Sequence, residues 1–394
     1  MPGIGIGISP FLKQQGGDGG ACVAPANTVA PVVSGLLQKG DTLTSTHGTW
    51  TGTSPITYTY QWKRNGVNIA AATASTHIIV DADLGQDITC FVTATNGCGS
   101  IGVTSNTVVP EYNGKAQDWF DEYLAQTGSD LPDSYKIIYN DLYNNLQGLG
   151  VMGSDNCFAA YKIIKGSPGY YDGVTKWPLL SDLVTPTNTP MSEINGGGSY
   201  VNIGTDPNVY TRQAAALKAW NTQEVPSSLA YLTTSSAAYG TWFLTDITAD
   251  NSLYLLGCSN GAFTSQLGIQ PRTSNQTIAV VNGTAYFGAL TSGARGYYEI
   301  HRTAASGAGC TQMLKDNSVI ATGNNTSTAV PDTDIICCGF SYDNGGSISQ
   351  TVTGGETPND GIITIIDRSA WTTAIGQQFY DSFVQFYTDL GITL

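Results

Sequence analysis

The chain has 394 residues, enough for two or three domains with a sizeable core. Its 16 basic and 30 acidic residues give a net charge of −14, and no cluster of Lys and Arg offers a surface that neutralises phosphates, which excludes nucleic acid as a partner. No run of about 18 apolar residues occurs, so the sequence predicts no membrane-spanning segment.

Residues 1–28 are predicted to be an attachment segment followed by a flexible linker. The stretch "GIGIGI" alternates apolar side chains with glycine, and "GGDGGA" after it favours no fixed conformation. An alternating strip beside a flexible joint can add a strand to the sheet of another protein, and a disordered terminus is the alternative. The segment also lacks the basic region and cleavage site of a secretory signal.

Residues 29–110 show short alternating runs separated by turn signals, the spacing of a β-sandwich. In "YTYQWKRNG", Tyr58, Tyr60 and Trp62 share one face, and Asn65-Gly66 supplies the positive φ angles of a tight hairpin. The strand "DITCFVTATN" is predicted to pack around the Trp62 ring through the side chains of one face, namely Ile88, Cys90, Val92 and Ala94.

The series "APVVSG", "KGDTLTSTHGTWTG", "YTYQWKRNGVNI" and "STHIIVDADLGQDITCFVTATNGCGS" resembles the bacterial Ig-like domains of bacteriophage virion proteins and bacterial surface proteins. The resemblance implies an Ig-like sandwich. The pattern departs from antibody-type domains in two ways. The residue predicted to face Cys90 is near Leu43, so no disulfide between the sheets is expected, and Asp87 stands where a tyrosine corner needs a Tyr.

Residues 111–150 are predicted to be a linker and a helix. The helix covers residues 132–147, with apolar side chains at four-residue spacing at Ile138, Leu142 and Leu146. A second amphipathic helix, "TAIGQQFYDSFVQFYTDLG", is predicted for residues 373–391. Its apolar stripe consists of Ile375, Phe379, Phe383, Phe386 and Leu390.

Residues 151–394 are predicted to form a second β domain that ends in this helix. Short strands recur in "YVNIG", "TWFLTDI", "LYLLGC", "TIAVVNG", "GYYEIHRT" and "DIICCGFSY". The order of helix, "GGGSYVNIGTDPN", successive strands, "IITIIDRS" and closing helix resembles the concanavalin A-like jelly rolls of phage fibre and capsid-decorating proteins. In "MLKDNSVIATGNN", a hairpin is predicted with Asp316-Asn317 at its tip.

No catalytic constellation is predicted. Jelly-roll glycosidases carry paired carboxylates as E-x-D-x-x-E, and this pattern is absent. Glu299 has Arg302 and His301 nearby; a Glu-His pair can transfer protons, but a polar outward face of a strand explains the pattern as well. His47 and His77 are predicted to be surface or strand-end residues, and no G-x-S-x-G elbow occurs to serve a triad.

No metal or cofactor is predicted. The pairs Asp81 with Asp83 and Asp332 with Asp334 are interpreted as turn residues, because each lacks the dense oxygen-ligand loop of a calcium site. The eight cysteines form no C-x-x-C pair and have no nearby His, which argues against zinc. They are interpreted as buried free thiols, with disulfides as the alternative.

Glycan binding is the remaining hypothesis, because sugar recognition needs an exposed aromatic face and a few polar partners. Two loops, "GSPGYYDGVTKWP" and "SYDNGGS", combine these residue types, although aromatic residues in sandwich proteins also serve as core. The predicted ligand-binding residues are Tyr170, Tyr171, Asp172, Trp177, Tyr342, Asp343 and Asn344.

The sequence therefore predicts a mainly β protein with an Ig-like sandwich and a concanavalin A-like jelly roll flanked by two amphipathic helices. The predicted function is a structural, non-enzymatic phage protein at the virion surface. Its expected partners are other virion proteins, through the N-terminal segment, and host or mucosal glycans; a homo-oligomer is left open. The alternatives are a carbohydrate-active depolymerase or glycosidase, and a bacterial surface adhesin, which the lack of a secretion signal disfavours.

Overall fold

The structure is a computed structural model in which the chain divides into two compact units. Unit 1 is Met1–Tyr112 and unit 2 is Asn113–Leu394. The structure describes residues 21–127, 130–150, 236–243, 295–327, 329–330 and 372–391, together with the strands named below that lie between these ranges. Both units are mainly β, as the sequence predicts.

Unit 1 consists of antiparallel sheets. In the described part, a three-stranded sheet has the order β2-β3-β7, a four-stranded sheet has the order β6-β5-β8-β9, and β1 pairs with β4. The strands are β1 Ala26–Val29, β2 Val33–Ser34, β3 Thr42–Ser45, β4 Thr49–Thr51, β5 Thr57–Arg64, β6 Val67–Asn68, β7 Thr76–Ile78, β8 Ile88–Asn96 and β9 Gly99–Thr104. Strand β1 thus begins inside the segment that the sequence assigns to a linker.

Trp62 lies in the core of unit 1, and this prediction is confirmed. Its side chain is fully buried, and its indole N–H donates to the backbone O of Ala74 at 2.9 Å. The predicted face of β8 is buried without exception, through Ile88, Cys90, Val92 and Ala94. Cys90 is a free thiol, as expected, and burial raises its pKa; Ser45 on the facing sheet forms a hydrogen bond to it.

The Asn65-Gly66 turn has the predicted geometry. Both residues have positive φ, at 48° and 79°, and they connect β5 to β6. Asn65 also fixes the turn to the following part of the chain, because its side chain accepts a hydrogen bond from the backbone N–H of Asp87 at 3.0 Å. The turn chemistry and the strand pattern therefore specify the same hairpin.

One carboxylate is buried in unit 1. Asp83 has no exposed surface. Its carboxylate accepts hydrogen bonds from the guanidinium of Arg64 at 2.7 and 2.9 Å and from the backbone N–H of Val80 at 2.9 Å. It also lies 2.9 Å from His77 Nε2. The His77 ring packs on Trp62 with centroids 5.4 Å apart. Of the two predicted alternatives for His77, the surface one is wrong, because its side chain is only 10% exposed; the residue lies one position from the end of β7.

Three helices occur in the described part of unit 2: α1 Gly114–Thr127, α2 Asp133–Gly148 and α3 Thr373–Asp389. The two predicted helices are confirmed as α2 and α3, and α1 is an addition. Helix α3 starts at a capped end, where the Thr372 hydroxyl accepts from the backbone N–H of Ile375 at 3.2 Å. Of its predicted stripe, Phe379, Phe383, Phe386 and Leu390 are buried, whereas Ile375 is half-buried.

In its described part, the strands of unit 2 form two large, mainly antiparallel sheets and one small ribbon. The first of the two large sheets has seven strands in the order β12-β10-β28-β17-β22-β23-β24. Its strands are β10 Phe158–Tyr161, β12 Pro178–Ser181, β17 Ala237–Phe243, β22 Gly296–Arg302, β23 Thr311–Lys315, β24 Ser318–Gly323 and β28 Asp360–Ile366. Helix α3 covers one face of this sheet, because the Trp242 ring stacks on Tyr380 at 5.5 Å and lies 5.2 Å from Tyr387.

The larger sheet follows the order β11-β13-β16-β25-β18-β19-β20-β21, and β26 pairs with β18 while β27 pairs with β26. Its strands are β11 Thr175–Lys176, β13 Met191–Ile194, β16 Ala219–Asn221, β18 Leu256–Ser259, β19 Gln266–Thr273, β20 Gln276–Gly283, β21 Phe287–Ala289, β25 Ile336–Cys337, β26 Gly339–Ser341 and β27 Ile348–Thr351. Strands β14 Ser199–Asn202 and β15 Tyr210–Gln213 form the ribbon.

The predicted hairpin tip at Asp316-Asn317 is confirmed. Both residues have positive φ, at 49° and 61°, and connect β23 to β24. The Asp316 carboxylate accepts from the backbone N–H of Tyr297 at 2.9 Å, and the Asn317 amide donates to Gln377 of α3 at 3.1 Å. The tip therefore ties the sheet to the helix that covers it.

Candidate functional site

The seven predicted ligand-binding residues lie outside the described residues. They are Tyr170, Tyr171, Asp172, Trp177, Tyr342, Asp343 and Asn344. Their assignment stays a prediction, and the candidate site is sought in the part of the chain that the structure describes.

An aromatic cluster lies at the surface of unit 1, and we call it the aromatic platform. It consists of His47, Trp50 and Tyr58. The His47 and Tyr58 rings are stacked, with centroids 4.3 Å apart and planes 9° from parallel. The Trp50 ring lies 6.4 Å from Tyr58 at an angle of 46°. His47 is exposed, and the other two side chains are half-buried, so the cluster presents ring surface to solvent.

The backbone around the platform is fixed by local hydrogen bonds. The Trp50 indole N–H donates to the backbone O of His47 at 2.6 Å, which closes the turn between them. Strand β1 holds the same turn, since the side chains of Asn27 and Thr28 donate to the backbone O of Thr49 at 3.2 and 3.1 Å. The aromatic side chains are therefore held by a backbone that is already hydrogen-bonded before any ligand arrives.

Gly48 makes this turn possible. Its φ is +77°, which favours glycine, and a Cβ atom there would lie 2.3 Å from the backbone O of Val29. The turn "HGTW" can therefore pass this close to β1 only with glycine between the two rings. Sequence reasoning missed the platform, although an aromatic residue on each side of a glycine and Tyr58 on the next strand were the available signals.

The platform has the residue chemistry of a sugar-binding surface. Aromatic faces contact the C–H groups of a pyranose ring, and hydroxyl and imidazole groups at the rim exchange hydrogen bonds with its hydroxyls. The Tyr58 hydroxyl and the His47 imidazole are the polar groups that the cluster itself provides.

A second cluster, on β22, is the one that the sequence singled out for possible chemistry. The Tyr297 hydroxyl donates to Glu299 Oε2 at 3.1 Å, and His301 Nδ1 lies 3.4 Å from Glu299 Oε1. These side chains are 2%, 1% and 8% exposed, respectively. The interpretation of this strand as a polar outward face is therefore wrong, because α3 covers the side of the sheet on which Tyr297 lies. A carboxylate this deeply buried is closed to a polymeric substrate.

Arg302 follows this cluster on the strand but faces the other side of the sheet. Its guanidinium donates to the backbone O of Val281 at 2.7 Å and of Asn325 at 2.7 Å, and further to Ala304 and Ala305. Burial lowers its pKa, and the neighbouring Cys310 partly offsets this effect. Arg302 thus fastens backbone segments together and is not positioned for catalysis.

The acidic pairs considered for calcium differ in their surroundings. Asp81 and Asp83 lie in a short 3-10 turn, as predicted, where Asp81 pairs with Lys39 at 2.5 Å and Asp83 pairs with Arg64. Asp332 and Asp334 lie outside the described residues. Among the described residues, no three or more His, Cys, Asp or Glu side chains converge in a way that suits a metal ion.

The prediction that the cysteines are free thiols is partly wrong. Cys22 and Cys98 form a disulfide with Cα atoms 5.6 Å apart, whereas the described Cys90, Cys258 and Cys310 are free and buried. No described helix has the length and apolar character needed to cross a membrane.

Comparison with known proteins gives little further guidance. No protein-family model and no curated protein matches the chain. Among solved structures, the chain is similar to Trypanosoma rangeli sialidase in complex with sialic acid, with a TM-score of 0.39 and 8% sequence identity. The match covers 76% of this chain and 43% of that chain, so this chain spans less than half of the length of the sialidase. A likeness this low carries no argument about function.

Proposed function

We propose that the chain is a structural, non-enzymatic protein of the bacteriophage virion surface, and that it adheres weakly to glycans through the aromatic platform. In this proposal unit 1 is an Ig-like module, unit 2 carries a concanavalin A-like jelly roll, and residues 1–28 attach the protein to other virion proteins. The resemblance of residues 29–110 to phage Ig-like domains supports the virion setting. The observation that supports adhesion is the parallel His47–Tyr58 stack beside Trp50 on a fixed turn.

The platform is separate from the residues that hold unit 1 together. The core is built from Trp62 and the buried face of β8, and His47 lies at the surface. An exposed aromatic stack adds little to folding, since ring surface left in water gives up the hydrophobic gain of burial. Ligand contact is the use that explains why three rings are held here.

The expected binding is weak for one copy and strong for many. A shallow aromatic surface with a few hydrogen bonds gives a dissociation constant of roughly 1 mM, which corresponds to a binding free energy of about −4 kcal/mol. Display of many copies on one particle converts this into useful avidity without any new contact. A chain with few charged residues and a net charge of −14 favours neutral over acidic sugars, because it repels anions.

A glycan array read with a multivalent form of the full chain tests the adhesion. Trp50→Ala and His47→Ala are expected to weaken binding about tenfold per site, because each removes ring surface from the contact. Ile101→Ala is the matched control, since Ile101 is an exposed apolar residue elsewhere in unit 1, at 48%. Equal binding by the Trp50 and Ile101 variants would exclude the platform as the binding site.

Two further measurements address the other parts of the proposal. Deletion of residues 1–20 is expected to leave both units folded and to abolish incorporation into particles; normal assembly of the truncated protein would refute the attachment role. Release of reducing ends from the same sugars, lost in Glu299→Gln, would instead support the depolymerase alternative.

A further inference from the structure

The Cys22–Cys98 disulfide joins the start of the described chain to the hairpin between β8 and β9. It closes a loop with a sequence separation of 76 residues. Hydrogen bonds surround it, since the Asn96 side chain donates to the backbone O of Val23 and of Thr53, both at 2.8 Å. The segment around Cys22 is therefore fastened to the hairpin between β8 and β9 and does not depend on β1, which pairs only with β4 in the described part.

Beyond Cys98, the chain is paired along its length to the end of unit 1. We call residues 98–112 the strap. Strand β9 pairs with β8 from Gly99 to Thr104, and Val108 then exchanges hydrogen bonds with Ile88 at 2.8 and 3.0 Å. The backbone O of Pro110 accepts from Gly85, and Glu111 N–H donates to Leu37, both at 2.8 Å.

We infer that the disulfide and the strap form a mechanical link, so that tension entering unit 1 through Cys22 crosses to Cys98, follows the strap and leaves at Tyr112. Residues 23–97 then lie outside the loaded path. They hold the core and the aromatic platform. This role of the disulfide rests on the proposed function, in which tension reaches unit 1 because residues 1–28 attach the protein to other virion proteins.

The length of chain that the disulfide shields from tension follows from the covalent path. An extended chain spans about 3.3 to 3.6 Å per residue, so a closed loop of 76 residues withholds about 260 Å of contour length. The strap itself has 14 residues after Cys98 and spans at most about 50 Å when extended. The clipped unit can therefore lengthen only through the strap, whereas the same unit without the disulfide lengthens by the withheld loop as well.

Single-molecule stretching of the full chain, with handles at its two ends, tests the inference. The oxidised protein is expected to be shorter at full extension by about 260 Å than the Cys22→Ser/Cys98→Ser variant. Unit 2 contributes equally to both chains, so it cancels in the difference. Reductant is expected to lengthen the wild type to the value of the variant and to leave the variant unchanged.

Equal full lengths of the oxidised wild type and the double variant would overturn the inference, and full extension does not require the variant to fold. Peptide mass spectrometry after alkylation in denaturant provides a second measurement. Cys22 and Cys98 are expected to stay unmodified until reductant is added, and their direct alkylation would also overturn it. Neither result depends on glycan binding or particle assembly, so failure of the proposed function remains distinguishable.

Discussion

Replacing Asp83 by asparagine is expected to destabilise unit 1 strongly, although the two side chains have almost the same shape. The carboxylate accepts two hydrogen bonds from Arg64 through Oδ1, while Oδ2 accepts from Val80 N–H and contacts His77. An asparagine must turn its NH₂ group toward one of these donors. It also leaves the guanidinium without its carboxylate.

The expected cost is about 3 kcal/mol. Removal of one partner from a buried ion pair costs about 3 to 5 kcal/mol, and the lower figure applies because the Arg64 side chain is 29% exposed and regains some water. Asp83 itself is fully buried, so nothing else offsets the change. At about 1.4 kcal/mol per factor of ten, this corresponds to a roughly 150-fold larger equilibrium constant for the opening of unit 1.

Hydrogen exchange of the full chain measures this opening in the segments Thr57–Arg64 and Ile88–Asn96, the central strands of unit 1. Asp87→Asn is the matched control, because Asp87 is exposed and its replacement is expected to change stability by less than about 0.5 kcal/mol. Similar exchange in the Asp83 and Asp87 variants would refute the reasoning. So would full additivity of Asp83→Asn and Arg64→Met, since partners in one network should couple.

Three further predictions concern single side chains. Trp62→Ala is expected to cost about 3 to 5 kcal/mol in the free energy of unfolding, measured by urea denaturation, whereas His47→Ala costs under about 1 kcal/mol because the His47 side chain is exposed; equal costs would contradict the core assignment. Arg302→Lys is expected to lower the melting temperature of unit 2, because an ammonium cannot reproduce the fork that donates to Val281 and Asn325; an unchanged melting temperature would contradict this. Burial, and then the charge and hydrogen bond of Asp316, raise the pKa of Tyr380 to about 12 from 10.0. The protonated Tyr380 side chain therefore contributes fully to the stability of the fold below pH 10.0, and this contribution disappears as the pH rises to about 12. Tyr380→Phe removes this contribution, and the difference in melting temperature between the two proteins should therefore shift between these pH values but stay constant below them.

Features with a local signal were predictable from the sequence. Trp62 lies in an alternating strand directly before Asn65-Gly66, and both the burial and the turn are observed. The stripe of α3 was predictable for the same reason, since its period is contained within one segment. Helix α1 was missed, although Ala116, Phe120 and Leu124 follow at four-residue spacing after Asn113, whose side chain accepts from Lys115 N–H at 3.0 Å.

Features that depend on distant partners were not predictable. Asp83 stands among turn residues, and only Arg64, which is 19 residues earlier, makes its complete burial favourable. Cys22 and Cys98 are separated by 76 residues and meet because the pairing of strands brings their segments together. Glu299 was interpreted as part of a polar outward face because His301 and Arg302 are near it in the sequence; the sequence of the strand cannot indicate that α3 covers that face.

The buried ionisable groups of the described residues serve the fold, and this locates the candidate function at the surface. Asp83 is neutralised by Arg64, Arg302 is held by backbone carbonyls, and Glu299 accepts from the Tyr297 hydroxyl. Each contact orders neighbouring segments. Asp83, Glu299 and Arg302 are each at most 2% exposed, so a large substrate has no access to them. The aromatic platform has the opposite character, with its backbone fixed and its rings facing solvent. If unit 1 acts on anything outside itself, contact through these rings is the means that its structure provides, and replacing the exposed His47 separates this role from folding.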